Sequence, residues 1–115
     1  MRSVVETVSL PRFTTEVART GEGPTLLLIQ GLGTDHRAWN PIVEHLAPYL
    51  HVVTFDNRGV GKASPVGEST TIEDLADDAA ELIRHLGVGP VHVGGVSLGG
   101  GIAMRVASRH PELVK

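Results

Sequence analysis

Three short runs, Thr25-Leu26-Leu27-Leu28-Ile29, His51-Val52-Val53-Thr54-Phe55 and Pro90-Val91-His92-Val93-Gly94, are apolar at successive positions and separated by segments of helical period. A strand with no polar face must be covered on both sides, and a parallel sheet between helical layers provides that cover. The clearest helix places Ile72, Leu75, Ala76, Ala79, Leu82, Ile83 and Leu86 on one stripe, which predicts a helix from about Thr71 to Leu86. Thr71 with Asp74 forms a capping-box pattern, with Asp in place of Glu, and Gly87 supplies the stop. Trp39 to Leu50 reads as a short helix with Pro41 in its first turn and Pro48 near its end. Ser97 to His110 reads as a third helix, ended by Pro111. Upstream, Val4–Leu10 and Phe13–Arg19 alternate in polarity across the break at Pro11-Arg12, as an antiparallel pair does. The expected fold class is α/β, with an antiparallel N-terminal strand pair followed by parallel strands, right-handed crossovers and helices on both faces.

Composition excludes several classes. Ten basic against thirteen acidic side chains give a net charge of −3, so neither nucleic acid nor an anionic membrane is an expected partner. There is no cysteine, which removes disulfides, a thiol nucleophile and thiolate-held zinc. Met1-Arg2 followed by Ser3-Val4-Val5-Glu6 does not read as a secretory leader, no apolar run reaches membrane-spanning length, and a cytoplasmic location is expected. Aromatic residues are only 3%, so the core must come from Leu, Val, Ile and Ala. Glycine pairs follow the strands at Gly31, Gly59 and Gly99, but His36, Ser64 and Met104 stand where a dinucleotide fingerprint needs its third glycine. Asp56 likewise occupies a position where a phosphate-cradling loop ending Gly61-Lys62 needs glycine.

Gly95-Val96-Ser97-Leu98-Gly99 carries the strongest chemical signal. In a chain of this composition such a pentapeptide arises by chance roughly 0.09 times, and here it lies where a buried strand turns into a helix, the setting of a nucleophile elbow. Glycines two before and two after the serine relieve crowding in a tight reversal. The hydroxyl then projects at a helix N-terminus, where backbone N–H groups favour a developing oxyanion. The competing reading makes Ser97 a simple helix N-cap within a patch of small residues.

With Gln30-Gly31-Leu32-Gly33 and Asp56-Asn57-Arg58-Gly59-Val60-Gly61, this pentapeptide makes three motifs in order, and from about residue 13 onward the chain resembles the α/β-hydrolase family. It is most similar to small serine esterases and enol-lactonases. Two departures stand out: the family usually has His-Gly where this chain has Gln30-Gly31, and the serine expected two after Gly61 is Ala63, followed by Ser64. The resemblance implies a Ser97 nucleophile, with the backbone N–H groups of Leu32 and Leu98 as the oxyanion hole and Gly31, Gly33, Gly95 and Gly99 as the motif glycines. It implies a structural Asp56–Gly61 loop, no cofactor, no metal, and a small carboxylic ester or lactone as substrate. In the family's order Ser, acid, His, the last two follow later strands. Residues 1–115 are therefore expected to be a partial domain that ends before the acid and the histidine. Alone it would be inactive, and would self-associate or need its C-terminal half.

The alternative function is a catalytically dead, hydrolase-like ligand-binding module; a cofactor-free peroxidase side activity is a third. Asp35-His36, beside the expected oxyanion loop, is the one local pair that could stand in for the base. His92 is expected to be a satisfied core histidine, and His45, His51, His85 and His110 lie at element ends. None of the six histidines has a clean metal-ligand spacing. Asp74, Asp77, Asp78 and Glu81 are expected to form the solvated face of their helix.

Overall fold

The computed structural model describes residues 3–31, 33–61 and 63–115. The elements run β1 (Val4–Ser9), β2 (Thr14–Thr20), β3 (Thr25–Ile29), a 3-10 turn over His36–Trp39, α1 (Asn40–Leu46), β4 (His51–Phe55), α2 (Ile72–Leu86), β5 (His92–Gly95), α3 (Leu98–Arg109) and a 3-10 turn over Pro111–Leu113. One mixed sheet has the order β1-β2-β4-β3-β5. β1 pairs antiparallel with β2, and β2 antiparallel with β4, while β3 pairs parallel with both β4 and β5. This is the α/β architecture that the apolar runs demand.

Residue alternation sends the two faces of β3 and β4 into different layers. Leu27, Ile29, Val53 and Phe55 join the core beneath α2 and α3, with Leu75, Ala79, Leu82, Ile83, Ile102 and Val106. Leu28 and Val52 point the other way and pack with Trp39, Val43 and Ala47 around α1. The scarce aromatics are concentrated: Phe13 and Phe55 meet edge to face in the larger core, ring centroids 6.3 Å apart, and Trp39 is buried in the smaller one.

The predicted caps of α2 are present. Thr71 Oγ1 accepts from the Asp74 amide, Asp74 accepts from the Thr71 amide, and Gly87 closes the helix in the left-handed region at φ 67°.

Three expectations need correction. The segment Trp39–Leu50 is not one helix: a 3-10 turn precedes α1, which ends at Leu46, and the chain then turns through Pro48 toward β4. His92 is exposed, because it points away from the core that Val91 and Val93 join, onto the face where the cluster around α1 covers β3 and β4 but takes in no residue of β5. The acidic residues of α2 are not a solvated face. Asp78 is 1% exposed and takes Arg58 Nε at 2.6 Å and Arg12 Nε at 3.0 Å, and Asp77 holds Arg109 and His110 of the neighbouring helix end. These charges tie α2 to the β1–β2 turn, to the loop after β4 and to α3.

Immediately before β5, Val91 makes an isolated parallel bridge to Val114, with Val91 N–H donating to the Leu113 carbonyl and Lys115 N–H to the Val91 carbonyl. Backbone direction alternates along a strand, so the amides of Val93 and Gly95 also face outward.

Candidate functional site

The site forms where β3 and β5, neighbours in the sheet, end side by side. β5 stops at Gly95 and α3 starts at Leu98, so the chain reverses within Val96 and Ser97. Ser97 takes φ 56°, ψ −123°, and among the described residues no other non-glycine has positive φ. An L residue there suffers contact between its Cβ and the backbone, at a cost of about 1–3 kcal/mol. The flanking glycines make the reversal possible. A Cβ on Gly95 would strike the carbonyl of Gly99, and one on Gly99 would strike the carbonyls of Ile29 and Gln30. The first turn of α3 is therefore pressed directly onto the end of β3.

Ser97 is exposed, and its hydroxyl makes no capping hydrogen bond; only its backbone carbonyl caps, accepting from Gly100 N–H at 3.0 Å. An N-cap serine holds extended backbone and uses its side-chain oxygen. Ser97 does neither. Leu98, half-buried, is the first residue of α3, and no intrahelical carbonyl can reach its amide. That N–H sits at the positive end of the helix dipole, next to the serine.

The loop after β3 meets the serine from the other side. A Cβ on Gly31 would lie 3.3 Å from Ser97 Cβ and 3.6 Å from its Oγ, so the Gly31 backbone lies against the hydroxyl. Gly33 turns in the left-handed region at φ 72°, which glycine enters without strain. Leu32, expected to give the second oxyanion-hole amide, lies outside the described residues. Gln30 stands where the family's histidine does; its side-chain Oε1 accepts from the Gly31 amide at 3.3 Å.

What holds this loop was not read from the sequence. Asn57 Nδ2 donates to the Gln30 carbonyl at 2.8 Å, immediately before Gly31. Asp56 Oδ1 accepts from the His36 amide at 2.8 Å and lies 2.9 Å from His36 Nδ1, all three groups buried. Thr15 Oγ1 in turn fixes the Asp56 backbone through its carbonyl and amide. The loop after β4 thus grips the loop after β3 at both ends. Residues 20 to 27 apart make these bonds, so no local pattern announces them; the three-motif resemblance only marked the second loop as structural.

The Asp35–His36 pair does not form. Asp35 bonds the Arg37 guanidinium and amide, which hold its carboxyl below the ordinary carboxylate range, and His36 belongs to Asp56. His51 is half-buried between Thr25 Oγ1 and Arg19 Nε, and burial, then the Arg19 charge, lowers its pKa. His45, His85 and His92 are exposed, and His110 bonds Asp77. Among the described residues no group of three or more His, Asp or Glu side chains could hold a metal, and no helix is long and apolar enough to cross a membrane.

A sheet whose strand ends present an exposed, backbone-strained serine beside a glycine loop defines a recognisable class. The family model described as alpha/beta hydrolase fold matches residues 24–115, and the chain belongs to that family. It is 37% identical over 95 residues to the (E)-2-((N-methylformamido)methylene)succinate hydrolase of Acinetobacter baylyi, covering 83% of this chain and 36% of that protein. It is 39% identical over 77 residues to 3-oxoadipate enol-lactonase 1 of the same organism, covering 67% and 29%. The crystal structure of E-2-(acetamidomethylene)succinate hydrolase superposes with a TM-score of 0.93 at 29% identity, over 98% of this chain and 42% of that one. The chain thus spans about a third of the curated relatives' length.

Proposed function

We propose that these 115 residues are the N-terminal part of a serine hydrolase domain that cleaves a carboxylic ester or lactone through a Ser97 acyl-enzyme. The observation that carries this reading is the Ser97 backbone: a residue held at φ 56° with its hydroxyl exposed and uncommitted bears a strain that a capping serine has no use for. In the proposed reaction Ser97 Oγ bonds to the acyl carbon as its proton passes to a base, and the carbonyl electrons move onto oxygen. The Leu98 and Leu32 amides hold that oxyanion, each such donor being worth about 10²–10³ in rate. The C–O bond to the alcohol then breaks, the alcohol takes the proton, and water releases the acid from the enzyme. No described residue hydrogen-bonds Ser97 Oγ, so the base and its orienting carboxylate are assigned to sequence beyond this segment. The isolated segment is accordingly inactive. The outward amides of β5 favour its association with itself or with the missing half.

A fluorophosphonate probe tests the reading. The full-length protein is labelled at Ser97, and the Ser97→Ala variant loses both the label and at least about 10⁴-fold in ester turnover. Labelling that survives the substitution would refute the assignment. The segment alone is expected to stay unlabelled.

A further inference from the structure

A pocket of about 240 Å³ opens between the Gly31 turn, the segment after β4 and the start of α3. Gly31 and Leu98 both line it, and these are the residues that lie against Ser97 in space and follow it in sequence. Its apolar wall is Val60, Val66, Ile72, Leu75 and Leu98. The polar side chains at its rim are already engaged within the protein. Asn57 Nδ2 donates to the Gln30 carbonyl, and the Arg58 guanidinium donates to Asp78 through Nε and Nη2. Thr70 Oγ1 accepts from the Gly67 amide, and Thr71 Oγ1 from the Asp74 amide. A charged or strongly polar group entering this space would lose water and find no free cation among the described residues that line it.

Resting on the hydrolase reading above, we propose that this pocket is a specificity subsite that takes a short alkyl arm of the substrate. Its volume of about 240 Å³, set against roughly 30 Å³ for each water-sized unit, bounds the arm at about eight carbons, and an arm that leaves the open mouth unfilled is shorter. The alkyl arm could belong to the acyl or to the alcohol side of the ester, and two substrate series separate these. One varies the acyl group from acetate to octanoate on a fixed alcohol; the other varies the alcohol from methyl to hexyl on acetate.

With the full-length protein, kcat/KM is expected to rise about fourfold per added methylene up to the pocket's capacity in one series, and to stay flat in the other. Val66→Phe, which fills the pocket from its exposed rim, should reduce that rise below twofold per methylene. Ile72→Ala should extend the preferred chain by one or two carbons. An ester of the favoured length ending in a carboxylate should be at least tenfold poorer than its methyl-ended counterpart. Flat series, a chain-length profile that neither variant moves, or preference for the carboxylate-ended ester would overturn the subsite while fluorophosphonate labelling of Ser97 keeps the hydrolase reading intact. Absence of both labelling and turnover would overturn that reading and the subsite with it.

Discussion

At Ser97, stability and the proposed chemistry pull in opposite directions. Glycine tolerates φ 56°, ψ −123° and serine does not, so Ser97→Gly should stabilise the full-length protein by about 1 kcal/mol, the relief of strain less the extra freedom glycine gains when unfolded. The same substitution removes the hydroxyl, so labelling by fluorophosphonate should vanish as the urea midpoint rises. A midpoint that falls would mean that the Ser97 side chain holds the bend together. The serine and its glycines were legible in the sequence because tight reversals admit few residue types. The clamps on the neighbouring loop were not: Asn57 on Gln30, and Asp56 on His36, depend on two strands ending side by side, which no local spacing encodes. His36 looked like a partner for Asp35 because adjacency in sequence stood in for adjacency in space.

Among the elements, β3, β4 and α2 could be read closely, since an unbroken apolar run and a clean helical stripe leave little choice of structure. The stretch after Trp39 was harder, for Pro41 and Pro48 fit a helix end and a turn equally well, and the packing of Val43 and Ala47 under the sheet decided the outcome. The join between α2 and α3 also escaped sequence reading, because acidic residues on a helix look solvated until their partners are known. The Arg109 guanidinium, and then His110, pull the Asp77 carboxyl down from its usual 3.8 to about 2. A carboxyl that takes up its proton later in the folded state than in the unfolded one contributes stability that is complete above about pH 5 and is lost as pH falls toward about 2. Asp77→Asn should therefore flatten the acid limb of a denaturation profile between those values. The change should amount to about 1 kcal/mol, since solvent reaches the pair and weakens it. A profile as steep as that of the parent protein would remove the ion pair from the account.

Over the whole molecule, burial is concentrated in the middle of the sheet. β3 and β4 are sealed by both helical layers, whereas β1 is largely exposed and β5 has an open outer side. His92 was misread because the alternation of strands and helices reveals that a strand exists but not how far each helical layer reaches across it. The unequal sealing sets an order of opening under deuterated solvent. Amides of Leu27–Ile29 and Val52–Phe55 should exchange last, those of β1 first, and those of β5 in between. Equal protection across the five strands would contradict this ordering. The serine bend is fastened at one end to the sheet's slowest-exchanging strand, through the seat of Gly99 on Ile29, and at the other to a strand free to loosen. A ligand or partner segment that stiffened β5 would then slow deuterium uptake at Val96–Leu98 without touching those residues, making isotope labelling of the bend a remote gauge of whether the sheet's open margin is occupied.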